Sequence, residues 1–224
     1  MVLFVPPIAQ QHSNDCLFTC LKMVLGYYGM SLTPKQFSSL TGERGKGPRF
    51  NLDAGLCAAA LGLQTDCFAY NHCCTYPGDA KLSQSELPRV LEERLATESR
   101  TSHRRTLESI ARTVRSGAVY HLEPPSLSRI RSYIRKGVPV IASISRCALY
   151  KTRGNPYEGH DIVITGTSGG SFSFVDPMFP AEQWVDGATM LFSILARKVI
   201  ALPSYMVAIK PKSPSLVVRP LAGP

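Results

Sequence analysis

The sequence predicts an α+β fold, in which a helical N-terminal half packs on an antiparallel β-sheet from the C-terminal half. Apolar residues recur with helical spacing through the first half, and apolar β-branched runs separated by turn residues dominate the second. The composition, 44% hydrophobic and 18% charged, is globular and excludes a disordered or fibrous protein. We expect one domain over residues 1–210 and a loose tail over residues 211–224, which hold four prolines.

The strongest helical signal runs from Cys16 to Tyr28. Its apolar residues follow the spacing i, i+3, i+4, i+7, i+8 and i+11, which places them on one face of a helix. They are Leu17, Cys20, Leu21, Val24, Leu25 and Tyr28. Asp15 is the expected N-cap and Gly29 the expected stop, so Cys16 is predicted to lie in the first turn.

The other elements follow in chain order. A second helix is predicted to begin at Thr33-Pro34 and to end at Gly42, because a capping residue before proline is typical of a helix start. Further helices are predicted over residues 52–61, 86–97, 105–115 and 126–136. Strands are predicted over residues 64–70, 138–144, 160–167, 171–176 and 205–210. A three-residue hairpin loop, 168–170, is expected to join the strands 160–167 and 171–176.

The positive charge is concentrated in one stretch. Lys and Arg number 25 against 16 Asp and Glu, and residues 89–136 alone hold eleven Lys and Arg against five Glu. This basic stretch is either a docking surface for an acidic substrate segment or the solvated face of two amphipathic helices. Aromatic residues do not alternate with the basic ones as they do in proteins that stack on single-stranded bases, so a nucleic-acid partner is not favoured.

The N-terminus and the cysteines indicate a cytoplasmic protein. The first residues have no basic start, and Pro6 and Pro7 interrupt their apolar run, which argues against a signal peptide. No stretch approaches the roughly 18 apolar residues of a membrane helix. The seven cysteines are an odd number without framework spacing, so we expect reduced thiols. Delivery into a host cell remains an open alternative.

Cys16 is the candidate nucleophile, because the N–H groups at a helix start favour thiolate over thiol. A thiolate needs a base, and the base needs an orienting acceptor. Of the five histidines, His160 alone begins an apolar strand, which makes it the candidate base. With a three-residue hairpin loop, Asp176 lies on the same strand face as His160, and Asp161 points to the other face. A two-residue loop would turn Asp176 away.

Gln10 is the candidate oxyanion donor, because its amide could act together with the backbone N–H of Cys16. A zinc site built from Cys16, Cys20 and residues 72–74 is not favoured. The adjacent Cys73 and Cys74 do not easily direct both thiols to one ion, and the spacing is not that of a zinc ribbon or finger. We expect no metal and no cofactor.

Several motifs together resemble those of the bacteriocin-processing, double-glycine-leader peptidases. The resemblance covers residues 5–180 and is carried by Gln10-x5-Cys16, Cys20-Leu21-x-Met23-Val24-Leu25-Gly26-Tyr27-Tyr28-Gly29, Gly137-Val138-Pro139-Val140, Gly159-His160 and Asp176-Pro177. It implies a papain-like fold and a bacterial cysteine peptidase that stands alone, without an exporter domain. It also implies a triad of Cys16, His160 and Asp176 with Gln10 upstream.

The resemblance further implies a peptide or protein substrate, with peptide processing as the activity. The same scaffold and thioester chemistry serve glutamine deamidases and acyl or peptidyl transferases, so these activities stay open as alternatives. A third alternative is a non-enzymatic binding module. The presence of all four candidate residues argues against it.

Overall fold

The computed structural model describes residues 1–42, 51–69, 74–155, 158–199 and 205–212. The helices are α1 (Cys16–Tyr27), α2 (Pro34–Thr41), α3 (Asn51–Ala60), α4 (Leu87–Thr97), α5 (Thr101–Arg115), α6 (Leu127–Arg135), α7 (Arg146–Tyr150) and α8 (Gly187–Val199). The strands are β1 (Gln64–Ala69), β2 (Val119–His121), β3 (Val140–Ser145), β4 (Gly159–Ser168), β5 (Ser171–Asp176), β6 (Phe179–Asp186) and β7 (Tyr205–Lys210). A short 3-10 helix spans Pro77–Lys81.

The seven strands form one mixed sheet in the order β2-β1-β7-β3-β4-β5-β6. Every neighbouring pair is antiparallel except β1 and β2, which run parallel. The predicted α+β class with a mainly antiparallel sheet is therefore confirmed. Strand β1 corresponds to the predicted strand 64–70, whereas β2 lies between two predicted helices. Strand β7 pairs with both β1 and β3 and so joins β1 and β2 to the rest of the sheet.

Helix α1 is buried on the face that its sequence pattern predicts. Leu17, Leu21, Val24 and Leu25 are at most 1% exposed, and they belong to one apolar cluster that also includes the central strands. Each such leucine contributes on the order of 1.5–3 kcal/mol when it leaves water. Because α1 packs against β4, this burial holds the first turn of the helix beside the sheet.

Local capping signals account for some of the helix starts but not for that of α1. The Thr33 hydroxyl accepts the N–H of Gln36, and the Gln36 side chain accepts the N–H of Thr33, which is a capping box. Asp15 does not act as predicted, since its side chain makes no capping hydrogen bond. Its backbone, at φ −93° and ψ 3°, lacks the extended conformation that directs a capping side chain at the first turn.

Besides the 3-10 helix, four elements were not predicted from the sequence: β2, α7, β6 and α8. Strand β6 lies at the edge of the sheet and most of its residues are exposed, so it shows no alternation of buried and exposed residues. Helix α7 has five residues, which is too short for helical periodicity to be detected.

Two of the sequence predictions extend beyond the described residues. Residues 213–224 of the predicted loose tail and residue 70, the end of a predicted strand, lie outside them.

Candidate active site

His160 and Asp176 form a buried pair on neighbouring strands. His160 Nε2 lies 2.7 Å from Asp176 Oδ1, and the two side chains are 4% and 0% exposed. The carboxylate can only accept, so Nε2 carries the hydrogen of this bond. Nδ1 is then the ring nitrogen with the lone pair, and it is the atom that can receive a proton.

The hairpin that aligns this pair differs from the prediction in its turn length and in a β-bulge, and the two differences offset each other in the register of the strands. The predicted three-residue loop is wrong: Ser168 pairs with Ser171 across a two-residue turn, Gly169-Gly170, whose φ values are 53° and 88°. Glycine adopts such positive φ angles without strain, as this kind of turn requires. By itself this turn would place Asp176 on the wrong face of the sheet.

A β-bulge in β4 restores the expected register. The pairing shifts between Ile164 and Gly166, so that Thr165 is the extra residue. Beyond the bulge, Ile164 pairs with Phe174, which is the partner that a three-residue loop would have assigned. His160 and Asp176 therefore share a face of the sheet, as predicted, although by a different route.

Two further groups hold the Asp176 carboxylate. The Tyr150 hydroxyl donates to Oδ2 at 2.6 Å, and the backbone N–H of Met178 donates to Oδ1 at 2.7 Å. Burial raises the pKa of Asp176, but the hydrogen bond and charge of His160, together with these two donors, lower it by more. The net pKa lies below the ordinary aspartate value. Tyr150 was missed by the sequence analysis because it lies on α7, which itself was not predicted.

Cys16 contacts Asp161. Its Sγ donates to Asp161 Oδ2 at 3.4 Å, and Asp161 Oδ1 accepts the Ser143 hydroxyl at 2.7 Å. Asp161 points away from the His160 face, as predicted, and so reaches the face on which α1 packs. The thiol of the candidate nucleophile thus bonds to the residue that follows the candidate base His160 in β4.

The pKa of Cys16 is shifted in the opposite direction to the predicted one. Burial raises it most, and the negative charge of Asp161 raises it further. The N–H groups of Asp161 and Leu17 lower it, so the predicted effect of the helix start is present but outweighed. In this arrangement Cys16 is a neutral thiol.

Gln10 lies beside the segment that carries Asp176. Its backbone N–H donates to the carbonyl oxygen of Pro177 at 2.8 Å, across more than 160 residues of chain. Its side-chain Oε1 is buried and has no hydrogen-bond partner. A buried acceptor atom without a partner costs free energy, which makes this side chain a candidate for contact with a group that enters the site.

The alternative zinc site has little structural support in the described region. Cys20 is fully buried, and its thiol donates to the carbonyl oxygen of Asp161 at 3.3 Å, as in a core residue. Residues 72 and 73 lie outside the described residues. Within the described ranges, no cluster of three His, Cys, Asp or Glu side chains could hold a metal ion.

Many arginines of the basic stretch 89–136 have partners within the protein. Ion pairs join Arg94 to Asp79, Arg100 to Glu98, Arg115 to Glu92 and Arg129 to Glu123. Arg104 and Arg112 donate to backbone carbonyl oxygens. These contacts favour the solvated-face interpretation, and docking of an acidic segment stays a prediction.

Among the described residues, no helix has the length and hydrophobicity needed to cross a membrane.

Comparison with known proteins adds a family and a fold. The sequence model of the Peptidase_C39 like family matches residues 2–194. Among solved structures, a Bacillus anthracis protein assigned as a C39-like peptidase aligns at a TM-score of 0.51 with 13% identity, over 95% of this chain and 98% of that one. The peptidase domain of Streptococcus ComA, a bifunctional ABC transporter of a quorum-sensing pathway, aligns at 0.47 with 12% identity, over 93% and 99%. No curated protein sequence matches the chain.

Proposed function

The chain belongs to the Peptidase_C39 like family, and from this premise we propose that it hydrolyses peptide bonds with Cys16 as the nucleophile. His160 is the base, Asp176 orients the imidazole, and Gln10 donates to the oxyanion. Family membership supports the cysteine peptidase activity. The four roles are inferences from the geometry and from the sequence motifs.

The observation that carries the proposal is the buried 2.7 Å contact between His160 Nε2 and Asp176 Oδ1 on a strand that packs against the start of α1. Because this contact keeps the hydrogen on Nε2, Nδ1 is the ring nitrogen that can accept a proton. Cys16 lies at the first turn of α1 and contacts the residue next to His160. These two contacts support the assignment of Cys16, His160 and Asp176 to one site at the start of β4.

The proposed reaction has two stages, formation of a thioester on Cys16 and its hydrolysis. Nδ1 of His160 takes the thiol proton as Cys16 Sγ attacks the carbonyl carbon, and the carbonyl electrons move to oxygen. The amide of Gln10 and the backbone N–H of Cys16 stabilise this oxyanion. Collapse expels the amine, which takes the proton from Nδ1 and leaves a thioester on Cys16. Water then attacks the thioester carbonyl while it gives a proton to Nδ1 of His160, the C–S bond breaks to release the acid, and the sulfur of Cys16 regains the proton from Nδ1.

We propose that residues 1–210 act as one peptidase domain on a peptide or protein substrate. Deamidation and acyl transfer proceed through the same thioester and differ in the leaving group or in the group that attacks it. Mass spectrometry of incubated peptides separates them. Loss of a segment indicates hydrolysis, a gain of about 1 Da indicates deamidation, and addition of an amine indicates transfer. The bacterial origin and cytoplasmic location stay predictions.

The test of the nucleophile is Cys16→Ala. Activity on any peptide that the wild-type protein modifies should fall to the uncatalysed background, because the thioester cannot form. The fold should be retained, since alanine suits a helix first turn. Cys147→Ala is the matched control, because Cys147 is also a partly exposed free thiol at the start of a helix. Turnover in the Cys16 variant equal to that of the control would contradict the proposal.

A further inference from the structure

The carboxylate of Asp161 lies directly against the candidate nucleophile. Asp161 is 7% exposed, with one carboxylate oxygen on the Ser143 hydroxyl and the other on the Cys16 thiol. A buried negative charge in contact with a thiol disfavours ionisation of that thiol. The usual arrangement for a reactive cysteine is the reverse, with positive charge beside the sulfur.

The position of Asp161 follows from the alternation of side chains along β4. His160 faces Asp176 on β5, and the next residue must face α1. Ser143 pairs directly with Asp161 across β3 and β4, so its hydroxyl fixes the carboxylate orientation. The thiol of Cys20 donates to the Asp161 backbone carbonyl, which fixes α1 against the same residue.

We propose that Asp161 is a positioning residue that holds the Cys16 thiol protonated in the resting protein, so that attack requires this hydrogen bond to pass to His160. The inference rests on the proposed function and deepens it. For attack, the Cys16 side chain must turn so that its S–H leaves Asp161 Oδ2 and donates to Nδ1 of His160. The proton then passes to Nδ1 and the electron pair stays on sulfur, which attacks the substrate carbonyl. No other reactant is required.

Within the described part of the protein, Asp161 is the charged group that bonds to the Cys16 thiol. Cys20 on α1 is a buried thiol whose pKa is raised by burial, by Asp161 and by neighbouring groups that include Asp176. His160 lies on β4 and Asp176 on β5, where they are paired with each other. Strand β3 contributes the neutral hydroxyl of Ser143. Replacing Asp161 with its neutral isostere therefore removes the charge with little change in shape.

The test is the pH dependence of Cys16 alkylation by iodoacetamide, followed by peptide mapping, in wild-type protein and in Asp161→Asn. The midpoint of the rate profile should fall by at least one pH unit in the variant. For each unit, the rate at pH 7 should rise about threefold, because tenfold more thiolate is partly offset by its lower nucleophilicity. Asp161→Ala provides the same measurement if the asparagine variant does not fold.

The matched control is Asp66→Asn. Asp66, like Asp161, is a buried carboxylate; it bonds to His121 and lies on β1, separated from β4 by two strands of the sheet. Its replacement should leave the alkylation profile of Cys16 unchanged. A profile in Asp161→Asn that coincides with that of the wild type, or moves to higher pH, would overturn the proposal. A purely structural role would lower the melting temperature without moving the midpoint.

This test is independent of the proposed function, because alkylation needs no substrate. If Cys16→Ala kept full peptidase activity while Asp161→Asn shifted the alkylation profile, the function would fail and the positioning role would stand. If Cys16→Ala lost activity while Asp161→Asn did not shift the alkylation profile, the proposed function would stand and the positioning role of Asp161 would fail.

Discussion

Two histidine–carboxylate pairs lie in the same sheet, and they differ in their surroundings. The pair of His160 and Asp176 has a 2.7 Å contact and side chains 4% and 0% exposed. The pair of His121 and Asp66 has a 3.0 Å contact and side chains 33% and 12% exposed. Burial raises the pKa of each carboxyl group, but the histidine and neighbouring donors lower it by more, so both lie below the ordinary value.

The cysteines beside the two pairs differ in their accessibility. Cys67, next to Asp66 in the chain, is fully buried beneath α3. Its sulfur lies so close to Gly55 of α3 that a Cβ atom added to this glycine would be 2.5 Å from it. Cys16 lies at a helix start and is partly exposed. A histidine–carboxylate contact is thus not a site by itself. It becomes a candidate site where a reachable nucleophile and an oxyanion donor meet it.

The largest effect in this comparison is expected from the histidines. His160→Ala should lower the peptidase rate by about 10³-fold, because the base that takes the thiol proton is lost. His121→Ala makes the same change at the other pair, and there the rate should stay within about twofold of the wild type. Initial rates on one peptide substrate, measured with all proteins below their melting temperatures, give the comparison. Equal losses in the two variants would show that the pairs do not differ in function.

Gln10 sharpens the comparison, because it lies next to only one of the two pairs. Its backbone N–H bonds to Pro177, the residue that follows Asp176. Gln10→Ala should lower kcat by roughly 10²-fold, which is the scale of losing one oxyanion donor. KM should change little, since the donor acts mainly on the charge that forms in the transition state. Gln11→Ala, a change in the neighbouring exposed residue, is the control. An unchanged kcat for Gln10→Ala would mean that another group stabilises the oxyanion.

Asp176→Asn should have the smallest catalytic effect, a loss of about tenfold or less. An asparagine oxygen can still accept from Nε2, as in papain-like proteases with a Cys-His-Asn set. The effect should be on kcat, because Asp176 orients the imidazole and does not contact substrate. A loss as large as that of His160→Ala would contradict this role. Asp66→Asn is again the control, and it should leave kcat unchanged.

The same variant should also change stability with pH. The folded pKa of Asp176 is lowered, so its carboxylate stabilises the fold above the unfolded value of about 3.9, and this contribution is lost as the pH falls through the folded pKa. The difference in melting temperature between wild type and Asp176→Asn should therefore be largest near pH 7 and should shrink below about pH 4. A difference that is constant with pH would exclude this linkage.

Elements with strong local signals could be predicted from the sequence. The apolar period of α1, the Thr33-Pro34 start of α2 and the strands β5 and β7 all follow from patterns within a few residues. Helix α8 was missed although Asp186 accepts the N–H of Thr189 at 2.8 Å, a capping signal that the sequence contains. The exposed strand β6 and the short helix α7 have no comparable pattern.

For the candidate site, the sequence determined which residues could react: a cysteine at a helix start, a histidine at a strand start and an aspartate across the hairpin. Tertiary structure decided how they meet. The bulge at Thr165 corrected the two-residue turn, α7 brought Tyr150 to Asp176, and the packing of α1 on β4 placed Cys16 against Asp161, 145 residues away in the chain. Local patterns follow the backbone period, whereas these contacts depend on how whole elements pack against each other.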